Sequence, residues 1–275
     1  MYPVSSVYVV YKPTRECMDI AKKYSDLFKG RGVSVEVSTV DDASTRSVVD
    51  KDLVLSVGGD GTILRISLML QGESTTPLIL PHPCGRRNTF YDEDIPSASL
   101  IVEKVLKGDF MVQLYPRGRV CVRDRCVYFL NEAAVLNMDM GRVIGFTVTV
   151  RSAGVYSRYD FEGDGFIVST APGSAGYNLS ARGPLVAGWG DELVLTHLNP
   201  MQLGIPSITL PAYVSVVEAA SRGYTVLYVD GEKMRLLDRR EPVRITGGVG
   251  FLKLVRFSSG RDLIKIVLGK RRVVY

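Results

Sequence analysis

The first third of the chain alternates uncharged, β-branched runs with stretches whose apolar residues recur at helical spacing. Val7 to Tyr11, VYVVY, carries no charge and reads as a buried strand. In the stretch that follows, Cys17, Ile20, Ala21, Tyr24, Leu27 and Phe28 share one helical face, with Thr14 placed to cap it and Gly30 to stop it. Val33 to Val37 predicts a second strand and DLVLSV a third. TILRISLML then has the pattern of a helix buried on most sides, and SASLIVEKVLKGD adds another with Ser97 as its cap. This order predicts an α/β layer built on a mainly parallel sheet.

After about Phe110 the pattern shortens. MVQLYPRGRVCV, CVYFLNEAAVLN, VIGFTVTV, ELVLTHL, YVSVVEAA and YTVLYVDGE are β-rich segments divided by Gly, Pro, Asp and Arg, which predicts an all-β second domain. The tail RDLIKIVLGKRR turns helix-like again and is expected to rejoin the first domain. The expected division is therefore 1–109 with 256–275, and 110–255. No Gly/Ser- or Pro-rich linker and no internal repeat interrupts the chain.

Composition sharpens this reading only in places. With 275 residues, 46% of them hydrophobic, the chain can bury a substantial core. Lys and Arg number 34 against 29 acids, a net +5 that suits a phosphate-rich small ligand; nucleic acid is not expected as a partner. No apolar run approaches the ~18 residues of a bilayer span, and the N-terminus lacks a basic region and cleavage pattern. A cytoplasmic protein with no membrane partner is expected. The four cysteines, at 17, 84, 121 and 126, lack zinc-site spacing and are expected to be free thiols.

Two stretches carry candidate chemistry. In LVLSVGGDGTIL, Gly58, Gly59 and Gly61 bend the chain between a strand end and a helix start, where amides and helix dipole suit a polyphosphate. A carboxylate there repels such an anion, so Asp60 needs another task. Holding Mg²⁺ or taking a proton from an attacking hydroxyl would fit; so would merely capping the helix. The second stretch, Glu162 to Val186, combines five glycines with small hydroxyls and Tyr177. It could wrap a nucleotide, with Tyr177 stacking and Ser174 or Ser180 donating hydrogen bonds, or be a long structural loop. There is no Walker-type signature and no dinucleotide fingerprint. PGSAG departs from a nucleophile elbow at Pro172, and His82 and His197 would join a triad only by coincidence.

Taken together and in order, these stretches resemble the NAD kinase family. VGGDGTIL is similar to its ATP-binding signature, FLNEAAV to its Asn-Glu motif, DGFIVSTAPGSAGYNLSARGPLV to its long Gly-Ser-Thr segment, and LYVDGE to a later Asp-Gly motif. The resemblance spans roughly residues 50 to 260. It implies an N-terminal α/β domain, a β-sandwich-like C-terminal domain, and ATP-dependent phosphorylation of the adenosine ribose 2′-hydroxyl of NAD to give NADP. Carried over by position, Gly58, Gly59, Gly61 and Thr62 form the phosphate loop and Asp60 is the general base. Asn131, Glu132, Asp164, Ala175, Gly176, Tyr177, Ser180 and Asp230 surround NAD. Mg²⁺ is implied as the companion of the triphosphate, whose charge it offsets, with no protein metal ligands assigned. A homodimer or homotetramer is also implied.

The chain departs from the family in two places. PLILPHPCGRRNTFYDED resembles instead an element of the related diacylglycerol and sphingosine kinases, with Gly85, Asn88 and Phe90 aligned. There Arg86 and Arg87 could clamp phosphate bidentately or form an exposed basic loop. Ala175 replaces a family threonine. These changes leave two alternatives: a kinase for a lipid or other small alcohol, and a silent nucleotide-binding regulator.

Overall fold

A computed structural model describes residues 4–72, 76–84, 89–92, 95–139, 141–187, 190–258 and 263–270. The chain forms two compact units, Met1–Tyr115 with Leu252–Tyr275, and Pro116–Phe251. In the first unit the elements are β1 (Ser6–Tyr11), α1 (Arg15–Lys29), β2 (Ser34–Thr39), α2 (Thr45–Val49), β3 (Leu53–Gly58), α3 (Asp60–Met69), β4 (Leu78–Pro83), α4 (Ala98–Lys107) and β5 (Met111–Pro116). After the second unit, β18 (Phe251–Arg256) and α6 (Leu263–Lys270) complete it. Its six-stranded sheet has the order β2-β1-β3-β4-β18-β5, with parallel pairing from β2 through β18.

The apolar spacing of α1 explains its position. Ala21, Tyr24 and Phe28 pack with Ile101, Val102 and Val105 of α4 against Val7, Val9, Leu53 and Leu55 of the strands. Thr14 caps α1 by accepting from the amide of Cys17. The six residues of β3 are all buried, as a central strand covered on both faces requires. Two elements escaped the sequence pattern. The short α2 has one buried apolar position, Val48, so no periodicity marks it. In β4, Pro81 and Pro83 disguise a strand that pairs in parallel with β3 (Ser56 opposite Pro81, Gly58 opposite Pro83).

The second unit contains β6 (Gly118–Val122), β7 (Arg125–Phe129), β8 (Glu132–Asn137), β9 (Ile144–Ser152), β10 (Val155–Gly163), β11 (Gly165–Thr170), α5 (Tyr177–Ser180), β12 (Glu192–Leu198), β13 (Ile208–Pro211), β14 (Ser215–Ser221), β15 (Thr225–Val229), β16 (Glu232–Leu237) and β17 (Val243–Thr246). Two six-stranded antiparallel sheets, β10-β9-β14-β17-β6-β7 and β13-β12-β11-β8-β15-β16, make the sandwich. Buried rings interlock them: Phe146 of the first sheet lies edge-on to Phe166 of the second at 5.8 Å, and Phe161 edge-on to His197 at 4.7 Å. The chain changes sheets abruptly twice, at Leu130–Asn131 between β7 and β8, and at Asp164 between β10 and β11.

The expectation of free thiols is corrected. Cys17 and Cys84, 67 positions apart, form a disulfide with their Cα atoms 5.7 Å apart, and Cys121 and Cys126 form a second. Parallel pairing of β3 with β4 and the packing of α1 bring the first pair together, which no spacing rule reveals. The second pair lies directly opposite in the β6–β7 register. Loop-closure entropy makes the longer bridge the more stabilising one. Replacing Cys17 by Ser should lower the unfolding free energy by about 2–4 kcal/mol, and replacing Cys121 by less. Urea titration of both variants under oxidising conditions measures the difference, and equal costs would contradict the loop-length account.

Candidate active site

In the first unit, β3 delivers the chain to the glycine turn. A Cβ on Gly58 would lie 2.1 Å from Thr62 Oγ1, so only glycine lets the first turn of α3 fold back on the strand end. Gly59 takes the N-cap position with an extended backbone and no side-chain cap. A Cβ on Gly61 would meet nothing within 4 Å, so the turn is open on that side. Amides and dipole at this helix start favour an anion.

Asp60 is the first residue of α3 and half-buried, yet its carboxylate does not cap its own helix. It accepts from the Thr89 amide at 2.8 Å to each oxygen, from Thr89 Oγ1 at 2.6 Å and from the Phe90 amide at 3.0 Å. The buried Tyr91 donates to the Gly59 carbonyl at 2.9 Å, and the Cys84 amide donates to the Gly58 carbonyl at 2.8 Å. Burial pushes the Tyr91 hydroxyl up, far from ionisation, so it remains a donor. Three successive turn residues are thus each held by the chain that follows β4. Of the sequence candidates here, Gly58, Gly59, Asp60, Gly61 and Thr62 come together at the helix start. Arg86 and Arg87 lie outside the described residues.

In the second unit, the crossover from β7 to β8 is held by Asp230. Its carboxylate accepts from the amides of Leu130 (2.7 Å), Asn131 (2.7 Å) and Glu132 (3.1 Å). Asp230 and Gly231 both have positive φ, 49° and 85°, the backbone of a tight hairpin turn joining β15 to β16. Burial pushes the Asp230 carboxyl up to about 6, although the three amides and the nearby Arg117 cation pull the other way. Arg117 is fully buried, with its guanidinium 5.1 Å from the centre of the Tyr128 ring.

The clamp presents Asn131 and Glu132 side by side. Asn131 Oδ1 and Glu132 Oε2 are buried without a hydrogen-bond partner among the described residues. A Cβ on Gly176 would come within 3.3 Å of Glu132 Oε2 and 3.4 Å of Asn131 Nδ2, so the backbone at 176 closes over both. Burial, reinforced by the Asp230 charge, pushes the Glu132 carboxyl up to about 8. Tyr177 is 42% exposed; burial raises its hydroxyl, and the charges of Glu132 and Asp164 add to this. Asp164 accepts from Asn199 Nδ2 at 2.7 Å. Ala175 is buried, and Ser180 is exposed on α5.

Some residues of the glycine-rich segment hold its own fold. Ser174 is fully buried, donating to the Ala171 carbonyl at 2.7 Å and accepting from the Val186 amide at 2.9 Å, so it is not offered to a ligand. Asn178 donates to the carbonyls of Ser174 and Pro184 and accepts from Thr196 Oγ1. A Cβ on Gly173 would lie 2.0 Å from the Asn131 carbonyl oxygen, so the segment rests on the crossover backbone to backbone. His82 and His197 each pair with a tyrosine hydroxyl at 2.8 Å, Tyr24 and Tyr159. Sequence reasoning missed Thr89, Tyr91, Arg117 and Asn178. Only the alignment of Phe90 pointed near the first two, and nothing local marked the others.

The raised Glu132 acid makes stability fall with pH. Its ordinary value is 4.5, and its folded value about 8. Between these the native state holds a proton that the unfolded chain has released, so its contribution is full below pH 4.5 and lost as pH rises towards 8. Glu132→Gln removes this cost: the variant should melt several degrees above the native protein at pH 8.5 and close to it at pH 5. Thermal melts across pH measure this, and parallel curves for the two proteins would refute it.

The ATP-NAD kinase C-terminal domain family matches residues 130–257, which include the Leu130–Glu132 crossover, the glycine-rich segment and Asp230. An NAD kinase from Aeropyrum pernix is 34% identical over 216 residues, covering 76% of this chain and 74% of its own. A solved NAD kinase from Archaeoglobus fulgidus in complex with ATP superposes with a TM-score of 0.78 at 26% identity, covering 96% of this chain and 98% of its own. Yeast NADH kinase complexed with NADH shares the fold at a TM-score of 0.84 and 18% identity, covering 99% of this chain and 90% of its own. With an open helix start beside a held carboxylate in one unit, and a roofed Asn-Glu pair in the other, this chain belongs to the NAD kinase family.

Proposed function

We propose that the protein transfers the terminal phosphoryl group of ATP to the adenosine ribose 2′-hydroxyl of NAD, giving NADP. The observation that carries this reading is the pair of buried, partnerless atoms Asn131 Oδ1 and Glu132 Oε2 beneath Gly176. Buried polar atoms go unpaired at high cost unless a ligand supplies their partners. A carboxyl that burial holds protonated near neutrality, beside an amide oxygen, suits the vicinal hydroxyls of a ribose. Tyr177 offers an exposed ring for a flat base, while Asp164 and the exposed Ser180 offer polar groups to the same ligand. Asp230 contributes through the three amides that it holds, and Ala175 by keeping the wall close and apolar.

The turn at Gly58–Thr62 receives the phosphates of ATP through the first amides of α3. Asp60 is the terminal acceptor of the proton that the attacking hydroxyl loses. Among the described residues no group of three His, Cys, Asp or Glu could hold a metal ion, and the Asp60 oxygens already have partners. Mg²⁺ enters on the triphosphate, whose charge it offsets, and no step is assigned to a protein-bound ion. No described helix is long and apolar enough to cross a membrane. We place the protein in the cytoplasm, as a homodimer or homotetramer, with the buried Cys17–Cys84 bridge shielded from reductants.

Asp60→Asn should reduce NADP formation from NAD and MgATP by at least about 10²-fold, with circular dichroism and melting temperature close to native. A dehydrogenase-coupled NADP assay measures the rate. Turnover at native speed by that variant would overturn the base assignment, and turnover of ATP only with another alcohol would overturn the acceptor.

A further inference from the structure

A carboxylate has about four acceptor positions, two on each oxygen. On Asp60 all four are taken: the Phe90 amide and one branch of the Thr89 amide at Oδ1, and the other branch of that amide and Thr89 Oγ1 at Oδ2. An alcohol approaching this carboxylate finds no vacant position to receive its proton. Peptide N–H groups cannot hand their protons over. A hydroxyl can, because its oxygen accepts one proton while releasing another. Thr89 Oγ1 is the single hydroxyl among the three donors, and its 2.6 Å separation is that of a strong O–H···O⁻ bond. Thr89 is half-buried.

We propose that Thr89 relays the acceptor's proton to Asp60. In the step, the acceptor oxygen forms a bond to the terminal phosphorus of ATP as the bond from that phosphorus to the diphosphate oxygen breaks. The acceptor's proton passes to Thr89 Oγ1, and the Thr89 hydroxyl proton passes to Asp60 Oδ2. Thr89 ends as a neutral hydroxyl and Asp60 as a carboxylic acid; ADP leaves with the charge of the broken bond. The inference rests on Asp60 being the terminal base. It adds that the base works only through its threonine, while the two amides hold the carboxylate in place for the transfer.

The test is the single-turnover rate of NADP formation in the native protein, Thr89→Val, Thr89→Ser and Asp60→Asn, with dissociation constants for NAD and MgATP and melting temperatures for each. Thr89→Val keeps shape and both amides but removes the hydroxyl; its rate should fall about 10²-fold with both dissociation constants within threefold of native. Thr89→Ser should restore the rate to within about threefold. The relay is overturned if Thr89→Val stays within threefold of native, if the serine variant falls as far as the valine one, or if the loss lies in binding instead of rate. A silent Asp60→Asn beside an active Thr89→Val removes the relay alone. An active Asp60→Asn removes the base assignment and the relay with it.

Discussion

A chain that leaves one sheet and enters another within two residues must find partners for amides that neither ladder supplies. Asp230 answers that need for Leu130, Asn131 and Glu132, and much of the second unit follows from it. The carboxylate reaches the crossover because the turn between β15 and β16 is tight and left-handed at both central residues. The arrangement places an acid in the interior, where burial disfavours its charge, and the three amides with the Arg117 cation offset that penalty. Glu132 has no such compensation, so its proton is held far above the ordinary range. One clamp therefore fixes the direction of β8 and adds its charge to the burial that raises the neighbouring acid.

The same device recurs in the first unit with a different consequence. Asp60 stands where an aspartate would ordinarily serve its own helix, but it binds the amides of Thr89 and Phe90 instead. Gly59 caps the helix without a side chain, leaving the helix start open to an anion while the acid is held to one side. A carboxylate free to swing would repel the phosphates that the dipole attracts. Held by two amides and a hydroxyl, it is kept from swinging across the helix start.

The glycine-rich segment shows how easily a structural loop is taken for a binding loop. Ser174 and Asn178 have the chemistry to contact a nucleotide, yet both are buried and tie residues 171–186 into a compact shape. What remains for a ligand is the outer side: the Gly176 backbone above Asn131 and Glu132, and the exposed ring of Tyr177. Gly173 makes this possible, since any side chain there would displace the segment from the crossover beneath it.

Read alone, the sequence determined the alternation of strand and helix in the first unit, the all-β texture after it, and the chemical character of the glycine turn. These are local properties, set by the spacing of apolar residues and by the few residue types that tolerate a sharp bend. Tertiary structure decided the partners. Asp60 meets Thr89 across 29 positions, Asp230 meets Leu130 across 100, and Cys17 meets Cys84 across 67. A serine, an aspartate or a cysteine carries no mark of whether it will face a ligand, an amide or another thiol. That outcome depends on which strands pair and where the chain crosses between sheets, and only the folded backbone fixes both.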